Sequence, residues 1–473
     1  MPQAKYKQII KYILEKITRG EWTIGSKIPS QRALAKLFDV NRSTVITALE
    51  ELTADGLLEA KVGQGTIVAN NTWTLISAKK PVNWNKNISL GIHQASMSIV
   101  QIINETEANA RYIQLGKSEL SPDLFPITTM KQIMTKVTEQ LTPLSYEQPK
   151  GNLELREAIC AYLEKKGIYT SPASVLVVSG ALQALQLISI GLLSRGSTIF
   201  LEQPSYLYSL SVFQSAHMKL YGLPMDQQGI VPQEIEHVSM PQEKSVLYTI
   251  PTFHNPTGTL MPENRREALM NICEKEQTPM IEDDVYGDLW LDTPPPPPLK
   301  SYDKYGSVLY IGSLSKTLSA GFRIGWMVGP ESVIDRLSDL KMQTDYGSSS
   351  LSQKVAKEWL VSGLYEQHLT FVREELKKRR AATLEALRKE LTGMATWQAP
   401  QGGFFIWIKV LMPIHNKSLF EKALTEGLLL NPGSIYAQQH GVYLRLSYGY
   451  ASIEDIREGI RRLGLILRNL ESG

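Results

Sequence analysis

Cysteine is nearly missing. Only Cys160 and Cys273 occur among 473 residues, which excludes a disulfide framework and fits a reducing compartment such as the cytoplasm. No run of about 18 apolar residues is present, so no membrane-spanning helix is expected. The first ten residues, MPQAKYKQII, have no apolar stretch like that of a secretory signal. The seven histidines are scattered, and neither an H-E-x-x-H motif nor a Cys/His zinc spacing exists, so no metal site is expected. No internal repeat is evident, and the single low-complexity tract, Pro294–Pro298, is long enough only for a stiff surface loop.

Net charge is also small, at +3. Its distribution is informative. Residues 1–70 hold ten Lys/Arg against seven Asp/Glu, whereas the rest of the chain holds 40 of each. The whole basic excess therefore lies at one end, which points to an anionic partner there. A 43% hydrophobic and 21% charged composition is ordinary for a globular chain, and this length predicts two or three domains.

At the basic end, YKQIIKYILEKITRG (6–20) places Ile9, Ile10, Ile13, Leu14 and Ile17 on one helical stripe closed by Gly20. KIPSQRALAKLF (27–38) follows, with Ser30 as N-cap and Leu34, Ala35 and Leu37 expected to face inward. After the short turn Asp39–Asn41, a third helix repeats Val45, Ala48, Leu49 and Leu52 before Gly56. Two short helices across a tight turn make a helix-turn-helix. LLEAKVGQGTIVA (57–69) then reads as a hairpin turning at Gly63–Gly65.

The motifs G-x-K-I-P-S-Q-R-A-L-A, N-R-S-T-V-x-x-A-L-x-x-L-x-x-x-G-L-L and G-Q-G-T-x-V closely resemble the winged helix-turn-helix of GntR-type bacterial regulators. A helix opening with Arg42, Ser43 and Thr44 offers short donors and a guanidinium to a major groove of double-stranded DNA. Arg32, in the first turn of the helix before it, suits a phosphate or a guanine. Lys61 and the glycine-flanked Gln64 lie on the wing. Arg32 or Arg42 alone would be an ordinary surface residue; the ordered set of helices, turn and wing is what carries the reading.

Residues 71–110 mix Asn, Lys and Pro with two tryptophans and read as a linker that docks in places, with SIVQIINETEANARY (98–112) as a helix on the next domain. From residue 111 the pattern alternates. VLVVSG, TIFLEQP, VLYTIP, MIEDD, VLYIGS and RIGWMVG read as short buried strands separated by helical segments, which implies a mostly parallel sheet covered on both faces. Ligands then sit beyond the carboxyl ends of the strands, so the polar residues there are the ones to inspect.

Ser179, Gly180 and Ala181 follow the first of these strands and open a helix, an arrangement that suits a phosphate. Tyr206 lies past the next strand, Asn255 past another, Asp283 and Tyr286 at a fourth, and Ser313, Ser315 and Lys316 at a fifth. The set suits pyridoxal 5'-phosphate. Lys316 supplies the amine that condenses with the aldehyde, and Asp283 a carboxylate for the pyridine nitrogen. Asn255 and Tyr286 suit the phenolic oxygen, and Tyr206 the ring face. Ser179, Ser313, Ser315 and Arg323 suit the phosphate. Asp284 is the alternative to Asp283, which alone keeps the three-residue step to Tyr286. His254 adjoins Asn255 and either lines the pocket or packs behind it. A lone lysine in a Ser-rich loop is usually a surface group, and the order and strand positions of the whole set argue otherwise here.

Residues from 111 onward resemble a fold-type I aminotransferase, over three-quarters of the chain. LGKSELSPDLFP (115–126) resembles that fold's substrate-side segment, and GGFFIWIKV (402–410) a strand of its small domain. The resemblance implies that Tyr146 reaches the phosphate of a neighbouring subunit in a homodimer, and that Arg445 binds a substrate α-carboxylate. Joined to the GntR-like head, the chain resembles the MocR-type regulators. The resemblance implies a winged helix-turn-helix over 1–70, a linker and docking segment over 71–110, a large α/β domain over 111–340 and a small C-terminal α+β domain over 341–473. It implies a regulator whose aminotransferase-like domain binds pyridoxal phosphate on Lys316 and senses it or an amino compound. The alternative is a working aminotransferase with an accessory DNA-binding head. A dead scaffold is disfavoured because no chemical position is lost. The amino compound, the operator and the sign of regulation are not encoded legibly.

Overall fold

The computed structural model describes residues 5–61, 65–70, 88, 91, 96–141, 144–238, 245–437 and 441–471. It divides into two compact units, residues 1–92 and 93–473.

In the first unit, helices α1 (Lys5–Thr18), α2 (Gln31–Phe38) and α3 (Arg42–Ala54) precede strands β1 (Leu58–Lys61) and β2 (Gly65–Val68). Ile9, Ile13 and Ile17 of α1 are buried against Leu34 of α2 and Val45, Ala48, Leu49 and Leu52 of α3. The Ser30 hydroxyl caps α2 by accepting from the Ala33 amide at 3.2 Å. That cap satisfies one of the donors a helix start leaves unpaired. Between α2 and α3 the chain turns at Asp39, a left-handed residue with φ 49°. Leu37, expected to face inward, is instead 60% exposed. An eight-residue helix has one narrow inward stripe, and Leu34 with the partly buried Ala35 and Phe38 fills it. β1 and β2 pair antiparallel with Leu58 opposite Val68. Of the predicted turn, Gly63 and Gln64 lie outside the described residues, and Gly65 opens β2 opposite Lys61.

The second unit is built on an eight-stranded sheet. Its strands are β4 (Val175–Val178), β5 (Thr198–Gln203), β6 (Lys219–Asp226), β7 (Gly229–Ile230), β8 (Ser245–Thr249), β9 (Met280–Asp283), β10 (Val308–Ser313) and β11 (Gly325–Val328), in the order β4-β11-β10-β9-β8-β5-β6-β7. Pairs from β10 through β9, β8 and β5 to β6 are parallel; β11 runs antiparallel to both its neighbours. The two-residue period of a strand sends alternate side chains to opposite faces. In β4, Leu176 and Val178 join the core that holds Ala184, Leu185 and Ile188 of helix Ala181–Gly191. Val175 and Val177 join the core of Leu155 and Ile159 from helix Leu153–Glu164 and Trp359 from helix Ser350–Val361. Both faces are therefore dry, which explains runs such as Val-Leu-Val-Val. Each such side chain contributes about 1.5–3 kcal/mol on full burial.

Toward the C-terminus a second sheet forms from β12 (Ala395–Trp397), β13 (Phe405–Val410), β15 (Asn431–Pro432) and β16 (Val442–Ser447), all antiparallel, in the order β12-β13-β16-β15. Beside it β3 (Ile113–Gln114) pairs parallel with β14 (Leu428–Leu429). Helix Ser98–Thr106 packs through Ile103 with Phe420, Leu429 and Tyr436. The chain that leads out of the linker is thus bound into the C-terminal sheet region before it enters the large sheet. Among the described residues, no helix is long and apolar enough to cross a membrane.

Candidate active site

β4, β5, β8, β9 and β10 all run the same way, so their carboxyl ends share one edge. Along that edge a cavity of about 280 Å³ is lined by Ser118, Gly180, Ala181, Tyr206, Asn255, Asp283, Tyr286, Ser313, Ser315, Lys316 and Arg323, among others. The fold brings together residues about two hundred positions apart, most of them at the carboxyl ends of the strands as the rule for open α/β sheets demands.

Asp283 ends β9 and is 4% exposed. Its Oδ2 accepts from the Tyr248 hydroxyl at 2.8 Å, while Oδ1 is buried without a hydrogen-bond partner. Burial raises this carboxyl to about 6, although the Tyr248 bond pulls the other way. A buried, unpaired acceptor is costly unless a donor arrives to meet it.

Lys316 follows β10 and is half-buried in the cavity wall. Its Nζ donates to the Ser118 carbonyl at 2.6 Å. Burial first, and then the positive charge of Arg445, lower the amine to about 8. A lysine so placed is deprotonated more easily than one in water, as a nucleophilic amine requires.

Tyr286 and Asn255 are both 2% exposed, with Asn255 Nδ2 donating to the Tyr286 hydroxyl at 3.2 Å. Burial pushes Tyr286 above its ordinary range and Tyr206 up to about 12, so both keep their phenolic protons and remain donors. At the phosphate-like end, Gly180 adopts φ 96° and caps helix Ala181–Gly191. A Cβ on Gly180 would lie 2.9 Å from Arg323 Nη2, so only glycine lets the guanidinium approach. Arg323 itself is left-handed, φ 54°. It donates from Nη1 to the Ala320 carbonyl at 3.3 Å and from Nη2 to the Ser179 carbonyl. Ser313 donates to the Ser315 hydroxyl at 3.0 Å.

Arg445, on β16, is 3% exposed. Nη1 donates to Asn255 Oδ1 at 2.8 Å, and Nη2 donates to the Gly116 carbonyl at 2.8 Å and the Ser118 hydroxyl at 2.7 Å. Its guanidinium carbon lies 4.2 Å from the centre of the Phe405 ring. Nε is buried without a partner.

Some expected residues are placed elsewhere. Ser179 is off the cavity wall: its amide donates to Gln183 Oε1 at 2.8 Å and its hydroxyl meets that of Ser348 at 3.3 Å. Tyr146 is 78% exposed and packs edge-on against Tyr346 at 4.7 Å. His254 takes the packing alternative, 1% exposed with Nδ1 2.8 Å from the Thr257 hydroxyl and lowered to about 3 by burial. Asp284 faces away from the ring site, bonded through Oδ2 to Tyr310 at 2.8 Å and Lys166 at 3.2 Å. Two residues were missed. Tyr248 looks like one more apolar strand position, and Ser118 sits unmarked inside the recognised segment 115–126.

On the other unit, Arg32 and Arg42 are exposed at the starts of α2 and α3. Arg42 Nε donates to Gln31 Oε1 at 2.9 Å, tying the two helix starts together. Ser43 and Lys61 are exposed and Thr44 is half-buried.

Pyridoxal phosphate fits the cavity by its chemistry. The unpartnered Asp283 Oδ1 matches a pyridine N–H. Lys316 offers the amine, and the Gly180–Arg323 cradle with the helix start offers donors to a dianion.

Known proteins support both parts. Residues 5–68 match the family model of the bacterial regulatory proteins, gntR family, and residues 111–463 that of the class I and II aminotransferases. The HTH-type transcriptional regulator YdfD of Bacillus subtilis (strain 168) is 58% identical over 99% of this chain and 97% of its own length. The HTH-type transcriptional regulator NorG of Staphylococcus aureus (strain USA300) is 36% identical over 92% of this chain and 98% of its own. Among solved structures, a multiple substrate aminotransferase from Thermococcus profundus is 30% identical with a TM-score of 0.75, covering 80% of this chain and 96% of that one. The α-aminoadipate aminotransferase LysN from Thermus thermophilus, complexed with N-(5'-phosphopyridoxyl)-L-leucine, is 27% identical with a TM-score of 0.75. It covers 83% of this chain and 100% of LysN.

Proposed function

The chain belongs to the gntR family of bacterial regulatory proteins, in the MocR-type fusion with a class I and II aminotransferase domain; within that frame of a transcriptional regulator, we propose that the aminotransferase-like domain holds pyridoxal 5'-phosphate on Lys316 and makes DNA binding answer to an amino compound. The observation that carries this reading is one cavity containing both a lysine lowered to about 8 and a buried carboxylate oxygen with no partner.

When bound, the cofactor supplies an electron-accepting ring next to an aldehyde carbon. The protein's residues do the rest. Lys316 presents its amine to that carbon, and Asp283 Oδ1 holds the proton on the pyridine nitrogen. Asn255 and Tyr286 hold the phenolic oxygen, and Tyr206 covers the ring. Gly180, Ala181, Ser313, Ser315 and Arg323 receive the phosphate, with Ser179 behind them. Tyr146, exposed and off the cavity wall of its own chain, serves the phosphate site of a second copy in a homodimer. Arg445 clamps the carboxylate of an amino acid. Arg32, Arg42, Ser43, Thr44, Lys61 and Gln64 contact double-stranded DNA. For regulation, the amino compound must bind two arrangements of the protein with different affinity.

The test is the visible spectrum of the purified protein during addition of amino acids one at a time. A cofactor band absent from Lys316→Ala, and an amino acid that perturbs the band without turnover, are expected. Conversion to the pyridoxamine form by an amino acid, reversed by a keto acid, would instead make the chain a working aminotransferase. No cofactor band in the wild type would overturn the reading.

A further inference from the structure

We propose that Ser118 is the residue that senses an amino acid in the cavity, because its hydroxyl occupies the guanidinium that the ligand's carboxylate claims while its carbonyl holds the amine that the cofactor claims. This rests on the cofactor reading above. The Ser118 carbonyl accepts from Lys316 Nζ at 2.6 Å, and the Ser118 hydroxyl accepts from Arg445 Nη2 at 2.7 Å. One residue thus bridges the amine that condenses with the cofactor and the guanidinium that binds a carboxylate.

A carboxylate needs two N–H groups of Arg445 side by side. Both terminal nitrogens are engaged, Nη1 by Asn255 Oδ1 at 2.8 Å and Nη2 by the Gly116 carbonyl at 2.8 Å and the Ser118 hydroxyl. Of these acceptors, two are fixed. Asn255 is held by Tyr286 at 3.2 Å. Gly116 is pressed against Asn431, where a Cβ would collide with the side-chain amide. The Ser118 hydroxyl is a neutral acceptor on a short side chain, and a carboxylate competes with it by adding charge–charge attraction to the guanidinium that a hydroxyl lacks. Ser118 is the contact that yields. Its carbonyl contact with Lys316 answers to the cofactor instead, so the hydroxyl contact with Arg445 is the one that reports the carboxylate.

The surrounding segment is built to register that loss. At one end Leu115 donates to the Leu429 carbonyl at 3.1 Å and accepts from the Ser447 amide at 2.6 Å; at the other Ser121 donates to the Gly449 carbonyl at 2.8 Å. Between those anchors, the carbonyls of Gly116 and Ser118 rest on the two cations. In the chain, this segment follows β3 and helix Ser98–Thr106, the stretch that covalently joins the cavity to the DNA-binding end. A ligand that evicts Ser118 therefore acts on the segment that directly follows β3 near the start of the second unit.

The probe is N-(5'-phosphopyridoxyl)-L-alanine, added to cofactor-free protein, with pyridoxamine 5'-phosphate as the control lacking a carboxylate. Removing the competing hydroxyl in Ser118→Ala is expected to tighten the alanine adduct roughly tenfold, the scale of one hydrogen bond to a charged group. Affinity for pyridoxamine phosphate stays unchanged, and Ser118→Thr, which keeps a hydroxyl, restores the wild-type value. In the wild type, amide exchange at residues 116–120 is expected to be faster with the adduct than with pyridoxamine phosphate. Equal or weaker adduct binding in Ser118→Ala, or identical exchange with the two probes, overturns the role of Ser118 while leaving the cofactor site standing. Failure of both probes to bind the wild type removes the cofactor reading and this inference together.

Discussion

The two ends of the chain use arginine in opposite ways. Arg42 stands exposed at the start of α3, steadied by one bond to Gln31. Arg445 is 3% exposed and held by Asn255, Gly116 and Ser118. An exposed guanidinium keeps its water until a partner arrives, which suits a long polyanion read through charge and counterion release. A buried one has already lost its water and must be met by protein groups. It then binds only a ligand of matching shape and charge. The head is completed by its partner, whereas the cleft is organised beforehand around it.

That contrast is breakable. Asp283→Ala should produce the larger loss, about a hundredfold or more in affinity for pyridoxal phosphate, because it deletes a buried partner of a charged ring nitrogen. Spectral titration measures it, and DNA binding should not change. Arg42→Ala should weaken binding to a duplex selected from a random pool by about ten- to a hundredfold, and lower the steepness of its salt dependence, with the cofactor spectrum intact. A change in both assays from either variant would mean that the two ends are not separable.

The smallest effect is on pH. Lys316 is lowered from 10.5 to about 8, by burial and then by Arg445. The capture rate of pyridoxal phosphate by cofactor-free protein should rise through a midpoint near 8 as the amine loses its proton. Arg445→Gln should move that midpoint upward by less than about one unit, since burial, the larger cause, remains. The sign for stability follows. The unfolded chain holds this proton more tightly than the folded one, so the cofactor-free protein gains nothing from Lys316 at low pH. Its stability rises as pH climbs from about 8 toward 10.5, and falls again on the way back down. A midpoint unmoved by Arg445→Gln would mean that Arg445 does not act on the amine.

Much of the site could be read in the chain because most of its chemical groups sit at or past the end of a strand of apolar residues, a local pattern. Lys316, Asp283, Asn255, Tyr206, Tyr286, Gly180, Ala181, Ser313, Ser315 and Arg323 all line one cavity. Leu37 was misread because helical spacing marks a stripe but not its width. Tyr248 went unseen because its ring is core and only its hydroxyl works, a division that no pattern of apolar residues displays. Ser118 was invisible as an individual because its role depends on two groups about two hundred and more than three hundred residues away.

By itself the sequence determined the two-part plan, the strand-by-strand order of the chemistry and the Ser-Gly-Ala step that opens a helix after β4. These are properties of neighbouring residues and of short periods. The tertiary structure alone decided which oxygen of Asp283 is left unpaired, that Asp284 turns away toward Lys166, and that Ser118 bridges Lys316 and Arg445. Each of those depends on distance and lost water between segments remote in the chain, which only folding sets.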